Sequence, residues 1–476
     1  MKKNIATKAA VLMLGAALLT VSAPFLHAKE TAPVLSYQLD ISRGKVPTME
    51  TLYRIVDFIA GLGYNEFQLY TEHTFAYKGH STAWGNFSPI TPDEIRKLDD
   101  YCFKKGVELV PNQNSFGHFE RWLSNDKYSF MAQCPEKKNA LNPTNEVSIK
   151  FISSLYDELL PCFRSRLFNV GCDEVQKVSQ SDYLDFLGKI SKLVKERNHT
   201  MMFWADIVLE HPETIDKVPL DAIALNWGYD RNYDFEKTTT ILKNCGLKFY
   251  VCPGTSSWAS LVGQTSNMVI NVKKAVDAGM KNGAIGYMMA DWGDGGYPQP
   301  WLVSVPGIIA LADRVKRGVV HDFDSLAKRI DEVLGCKVGK TLMDIGTLDT
   351  LTTVKSGNDT VLWRMLRKGA QFGKIRLSRP AGERGVSVER MNNVFEAWKS
   401  ALEMADLNGA PQWVKDDVEL LWVLREALQL RVKGEHERVV LEIRPKFSEI
   451  WLRQNRIGGL QYSLESNFSE TLPKGY

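Results

Sequence analysis

The seven cysteines are scattered, with no Cys-x-x-Cys pair and no histidine beside them at zinc-ligand spacing. That excludes a disulfide-dense scaffold and the usual structural zinc modules, and no metal or cofactor is expected. An odd count leaves at least one thiol free. A bridge such as Cys162–Cys172 or Cys245–Cys252 stays open, and the remaining cysteines read as small buried hydrophobes. No Gly-x-Gly-x-x-Gly turn follows the first apolar strand, which disfavours a dinucleotide-binding doubly wound sheet. There are no internal repeats or low-complexity runs. Net charge is also lacking: the formal +3 is carried by Lys2, Lys3 and Lys8, leaving residues 29–476 formally neutral. Such balance gives no electrostatic reason to expect nucleic acid or anionic lipid as partner. After Ala28 no stretch is apolar enough to span a membrane.

What is present begins with a targeting segment. The three lysines precede an apolar run from Ala9 to about Ala23, with a small-residue cleavage site after Ala28. Residues 1–28 therefore read as a secretory signal peptide, and the expected location is periplasmic or secreted. A chain of 476 residues with 44% hydrophobic content supports a large core and a second region beside it.

From residue 33 to 320 the chain repeats one grammar: a short apolar strand, a polar or aromatic cluster, then a helix with apolar residues every third or fourth position. Val34–Asp40, Phe67–Tyr70, Val107–Pro111, Leu167–Val170, Met201–Ala205, Ala222–Asn226, Leu247–Cys252 and Ala284–Ala290 read as strands. Thr91-Pro92-Asp93-Glu94 is a helix start, with a cap, a proline in the first turn and acids at the positive helix end. The strands are continuous apolar runs, as expected of strands buried on both faces. Eight such units specify a (β/α)8 TIM barrel. Residues 321–476 change texture, with helical periodicity over Asp322–Leu334, Thr360–Lys368, Val386–Leu407 and Trp413–Leu430 and no convincing strand. They are expected to form a helical C-terminal region packed against the barrel, its tail punctuated by Pro445, Gly458 and Gly459.

In a parallel barrel the C-terminal strand edge is where side chains meet substrate. The residues following the strands are Asp40 and Arg43; Glu72; His118 and Glu120; Asp173 and Glu174; Trp204 and Asp206; Trp227 and Tyr229; Trp258; and Asp291, Trp292 and Asp294. Carboxylates, one arginine and several tryptophans suit a sugar site, because indole faces stack on pyranose rings while charged groups bind hydroxyls in fixed geometry. Glycoside hydrolysis needs one carboxyl group to protonate the departing oxygen and another to support the developing positive charge. Asp173 and Glu174 are the best candidates, yet they are sequence neighbours whose side chains diverge. That suits a mechanism in which the substrate supplies its own nucleophile.

The motifs Leu39-Asp-Ile-Ser-Arg43, Asn65-Glu-Phe-Gln-Leu-Tyr-Thr-Glu72, Gly117-His118, Gly171-Cys-Asp-Glu174, Phe203-Trp-Ala-Asp206 and Asp291-Trp-Gly-Asp294 resemble glycoside hydrolase family 20, the β-N-acetylhexosaminidases. The likeness extends weakly to Ile450-Trp-Leu-Arg-Gln-Asn-Arg456, which is similar to the C-terminal helix of some members. The resemblance implies that Glu174 is general acid and then base. It implies that Asp173 orients the substrate's 2-acetamido group and stabilises the oxazolinium ion. Arg43 would clamp hydroxyls of the terminal sugar, Trp204, Trp227 and Trp292 would wall the ring and acetamide, and Asp294 would accept from a distal hydroxyl. Tyr229 stands in for the family's acetamide-binding tyrosine, which has no clear counterpart after the seventh strand. His118 either supports the carboxylate pair or is a structural histidine, Glu72 either touches substrate or braces Arg43, and Asp206 is open in the same way. The family's usual His-x-Gly-Gly-Asp-Glu appears here as Asn169-Val-Gly-Cys-Asp-Glu174, and Asp294 replaces a longer glutamate common in members. The small domain that usually precedes the barrel is not seen.

The implied function is release of terminal β-linked GlcNAc or GalNAc from a glycan by an exported, exo-acting enzyme. A relative with a different end-group specificity and a catalytically silent glycan-binding protein are the alternatives. Oligomeric state is not legible in the sequence.

Overall fold

A computed structural model describes residues 33–354, 359–368, 376–377 and 385–469. The expected signal peptide lies outside the described residues. Eight parallel strands make one sheet in the order β3-β2-β1-β8-β7-β6-β5-β4. They are β1 (Val34–Asp40), β2 (Glu66–Tyr70), β3 (Glu108–Val110), β4 (Leu167–Asn169), β5 (Thr200–Trp204), β6 (Ile223–Trp227), β7 (Lys248–Cys252) and β8 (Gly286–Asp291). The chain's first strand pairs with its last, Leu39 opposite Asp291. The remaining seam, β3 to β4, is closed by one parallel bridge between Asn112 and Asn169. The sheet is thus a (β/α)8 barrel whose weakest seam is flanked by Glu72, His118 and Asp173.

Helices coat the barrel as the spacing of apolar residues dictates. In α1 (Met49–Gly61) the buried face is Leu52, Ile55, Val56 and Ile59, at three- and four-residue steps. The expected start at Thr91 is a full capping box before α2 (Pro92–Lys104), with Thr91 and Glu94 satisfying each other's backbone N–H groups. The coat continues with α3 (Glu146–Leu159), α4 (Gln180–Glu196), α5 (Phe235–Asn244), α6 (Thr265–Asn282) and α7 (Val305–Arg317).

The C-terminal region carries α8 (Phe323–Leu334), α9 (Val361–Lys368), α10 (Val388–Glu403), α11 (Gln412–Val432), α12 (Arg444–Gln454) and α13 (Leu460–Phe468). Its core is continuous with the barrel's. Asp417 of α11 reaches into the barrel wall, accepting from the Leu302 N–H at 2.8 Å. One expectation changes here. Arg376–Leu377 pairs in parallel with Gly385–Val386, so the region is not free of strands. Pro445 and Gly459 stand at helix starts, Pro445 in a first turn where its missing N–H costs nothing.

All seven cysteines are free thiols, so neither of the two bridges left open forms, and five of the seven are buried. Cys162 belongs to the turn after α3 and Cys172 to the turn after β4, whereas Cys252 ends β7 inside the barrel wall and Cys245 caps α5 outside it. Among the described residues no helix is long and apolar enough to cross a membrane.

Candidate active site

Every strand delivers a side chain to the barrel's C-terminal mouth, and the β4 turn sets the chemistry. Beyond Asn169 the backbone turns left-handed at Gly171 (φ 70°), Cys172 (φ 72°) and Glu174 (φ 51°). Gly171 is obligatory there: an added Cβ would fall 1.9 Å from Asn114 Oδ1. Asn169, where the family pattern has histidine, holds the turn by accepting the Gly171 N–H at 3.0 Å and donating to Gln68 at 2.9 Å. The result separates two neighbouring carboxylates. The Asp173 side chain is 9% exposed, while that of Glu174 is 55% exposed at the rim.

His118 joins them. Its Nε2 lies 3.1 Å from Asp173 Oδ2 and 3.5 Å from Glu174 Oε2, and its Nδ1 lies 3.9 Å from Glu72 Oε1. Burial works against an imidazolium here, but the Asp173 charge and hydrogen bond prevail and push His118 up to about 10. The histidine is therefore a cation wedged among three carboxylates. Burial raises Glu174 above the usual carboxylate range, with His118 opposing and Asp173 reinforcing. Asp206 is likewise raised, first by burial and then by Asp173, and its Oδ2 accepts the Glu174 N–H at 3.0 Å. Asp206 thus holds the strained Glu174 backbone in place.

Arg43 occupies the β1–β2–β8 side. Its guanidinium lies 3.0 Å from Glu72, 3.5 Å from Asp40 and 3.5 Å from Asp294, and packs on Tyr70 and Trp292, 4.8 and 5.4 Å from the ring centroids. Burial disfavours the charge, yet Glu72 and its acidic neighbours keep Arg43 fully protonated. Glu72 is pushed up to about 7, chiefly by burial, with Arg43 and His118 pulling the other way. Of its two anticipated roles, bracing Arg43 is the one its position shows. The Asp294 side chain remains 45% exposed and open to a ligand.

The aromatic wall is continuous. Trp204 and Trp292 are 5.9 Å apart, Trp227 stacks on Tyr229 at 5.1 Å, and Tyr229 meets Trp258 edge-on at 4.9 Å. Asp173 Oδ1 and the Trp204 indole N–H, both buried, have no hydrogen-bond partner among the described residues. Buried polar atoms are nearly always satisfied, so a bound polar group is their natural complement. Of the expected site residues, Asp173, Glu174, Arg43, Trp204, Trp227, Tyr229, Trp292, Asp294, His118 and Glu72 all converge on this mouth.

Asp291 does not. It is wholly buried inside the wall, accepting from Tyr37, Thr255, Ser257 and Ser304 hydroxyls at 2.7–2.9 Å. It ends β8, and the pleat turns it outward, to the face of Tyr37 and towards Ser304 in the segment before α7. Asn114 and Tyr70 were not anticipated: Asn114 donates to the Tyr70 hydroxyl at 2.5 Å, and that hydroxyl donates to Glu72 at 3.1 Å. Among the described residues no cluster of three His, Cys, Asp or Glu could hold a metal ion.

A (β/α)8 barrel with a carboxylate pair, an arginine and a tryptophan wall at its mouth has the build of a carbohydrate-active barrel. Residues 36–185 match the model of glycosyl hydrolase family 20, catalytic domain. That segment, from β1 into α4, carries the family's pattern, and the rest of the chain lies outside the match. Among curated proteins it is similar to hexosaminidase D of Bos taurus, 23% identical over 214 residues, 40% of this chain and 62% of that protein. Hexosaminidase D of Homo sapiens is 21% identical over 240 residues, 46% of this chain and 49% of that protein. The match thus spans about half to three fifths of those relatives' length. A solved chitobiase of Flavobacterium johnsoniae shares the fold with a TM-score of 0.52 at 16% identity, covering 92% of this chain and 78% of its own.

Proposed function

We propose that the protein is an exported, exo-acting β-N-acetylhexosaminidase that releases terminal β-linked GlcNAc or GalNAc by a retaining, substrate-assisted mechanism. The observation that carries this reading is the His118 bridge, which sets a buried carboxylate and a rim carboxyl on one imidazole nitrogen. The acetamide oxygen of the bound sugar attacks the anomeric carbon as the glycosidic C–O bond breaks, and Glu174 gives its proton to the departing oxygen. Its exposure at the rim suits a group that must meet the leaving group, and its raised pKa keeps the acid form available. Asp173, buried and hydrogen-bonded to His118, orients the acetamide N–H and stabilises the oxazolinium charge. Glu174 then takes a proton from the water that opens that ring. Arg43 and Asp294 hold the hydroxyls remote from the scissile bond, and the tryptophans exclude water from the acetamide. Tyr229, within the same wall, is the acetamide-binding tyrosine.

Aryl β-GlcNAc, β-GalNAc and β-glucoside substrates test the route. Turnover is expected on the acetamido sugars and not on the glucoside; a comparable glucoside rate would refute substrate assistance. Glu174→Gln is expected to lower kcat by about 10²–10⁴ on a GlcNAc disaccharide and much less on an activated aryl glycoside. Equal losses on both would remove Glu174 from the acid role. Export rests on the N-terminal sequence, and the mature protein in a periplasmic or culture fraction is expected to begin at Lys29.

A further inference from the structure

The last helix of the chain meets the two turns that carry the sugar-clamping pair. Arg43 is followed by Gly44 and Asp294 by Gly295 and Gly296, and both turns abut α13. On the Arg43 side, Gly459, which caps α13, lies so close that a Cβ there would sit 1.6 Å from the Gly44 carbonyl oxygen. The Tyr462 ring lies against Gly44 itself, with Tyr462 Cδ1 only 3.0 Å from where a Gly44 Cβ would stand. The Arg121 guanidinium also packs on the Tyr462 ring at 4.3 Å and on Phe87 at 4.9 Å.

On the Asp294 side, the fully buried Asn467 donates to the Gly295 carbonyl at 3.1 Å and to Ser463 O at 2.9 Å. A Cβ on Gly296 would meet Asn467 Nδ2 at 3.0 Å and Ser463 Cα at 3.1 Å. One turn of helix thus separates the residues that hold the two loops. The Arg43–Asp294 pair, 3.5 Å apart, spans the gap in front of them.

We propose that α13 is the positioning element of the sugar-binding end: Tyr462 and Asn467 fix the turns bearing Arg43 and Asp294 and thereby set which terminal sugar is held, without touching it. This rests on the reading of the site given above. The helix lies far outside residues 36–185, so this chain completes its recognition end with a segment the family's matched region does not contain. The short Asp294 side chain reaches a hydroxyl only from where the Gly295–Gly296 turn is held.

The test compares Tyr462→Ala, Tyr462→Phe and Asn467→Asp in the full chain. Asn467→Asp keeps the side chain's shape but sets an acceptor against the Gly295 carbonyl. Tyr462→Ala and Asn467→Asp are expected to raise KM on aryl β-GlcNAc about tenfold with kcat within about twofold, and to change the β-GlcNAc to β-GalNAc ratio of kcat/KM. Tyr462→Phe is expected to restore the wild-type values, since the ring and not the hydroxyl meets Gly44. Binding of free GlcNAc, read by tryptophan fluorescence, is expected to weaken in parallel, and it needs no turnover. A lowered melting temperature in both variants with KM, substrate ratio and GlcNAc affinity unchanged would overturn the proposal and leave α13 a packing element. If Asn467→Asp does not fold, the Tyr462 pair decides alone. Wild-type protein that neither cleaves nor binds acetamido sugars would instead overturn the reading of the site, and this inference with it.

Discussion

Replacing His118 by glutamine tests the electrostatics of the site most directly. The imidazolium lies among Asp173, Glu174 and Glu72, and its side chain is only 16% exposed. Its displacement from 6.5 to about 10 measures how much better the folded chain holds that proton than the unfolded chain does. At about 1.4 kcal/mol per pH unit, the coupling is about 5 kcal/mol. Loss of one partner from a buried ion pair costs about 3–5 kcal/mol, so His118→Gln should lower stability by that amount at pH 6. The sign follows from linkage. A group whose folded pKa is raised stabilises fully below its unfolded value and loses that contribution as pH climbs through the folded one. The stability gap between wild type and His118→Gln is therefore full below pH 6.5 and closes towards pH 10. Urea unfolding of both proteins at pH 6, 8 and 9.5 reads the gap directly. A gap that stays constant or widens across that range would show that His118 is held by packing and not by the carboxylates.

Arg43→Ala removes the guanidinium that pairs with Asp40, Glu72 and Asp294, so KM on aryl β-GlcNAc should rise by about 10²-fold or more. An unchanged KM would dissociate Arg43 from the sugar. Gly171→Ala combines a left-handed φ with a Cβ overlapping Asn114 Oδ1, and should lower stability by more than about 2 kcal/mol, or prevent folding; a melting temperature like wild type would contradict the turn geometry. On the proposed substrate-assisted route Asp173→Asn should depress kcat on every acetamido substrate whatever its leaving group, because stabilisation of an oxazolinium charge does not depend on the departing group. A loss confined to poor leaving groups would reassign it.

The barrel was legible because parallel strands buried on both faces read as short apolar runs, and α5 begins and ends where its apolar spacing does. The mouth was legible for a related reason: residues just past such strands face the same way. Asp291 shows where that logic stops. At the end of β8 the pleat turns its carboxylate outward, where it meets four hydroxyls. The His118–Asp173 contact joins residues 55 apart in sequence, which no local pattern encodes. Nor could neighbouring Asp173 and Glu174 be ranked by burial from sequence, since left-handed residues at 172 and 174 decide it. The punctuation at Pro445 and Gly459 gives no sign of the helices that follow, because breakers and helix starters are the same residues read from opposite sides.

Lys45 supplies the opposite pH signature and so a check on the whole electrostatic picture. It lies behind the Arg43 turn at a small cavity shared with Trp301, Asp417 and Trp451. Its Nζ donates to Gln299 O at 2.8 Å and packs on Tyr297 at 4.5 Å and Trp451 at 5.4 Å. Burial drags it down from 10.5 to about 8, only partly offset by Asp417 and Asp291. A lysine with a depressed folded pKa costs stability while protonated, and that cost is relieved as pH rises from the folded to the unfolded value. Between pH 8 and 9.5 the wild type should therefore gain about 2 kcal/mol relative to Lys45→Met, whereas over the same interval it should lose ground relative to His118→Gln. Taking differences against wild type at each pH removes the buried tyrosines and cysteines that titrate in the same range, since all three proteins share them. Two variants at opposite ends of one sign rule make coincidence a poor explanation. If both gaps moved in the same direction with pH, the charge assignments at His118 and Lys45 could not both stand.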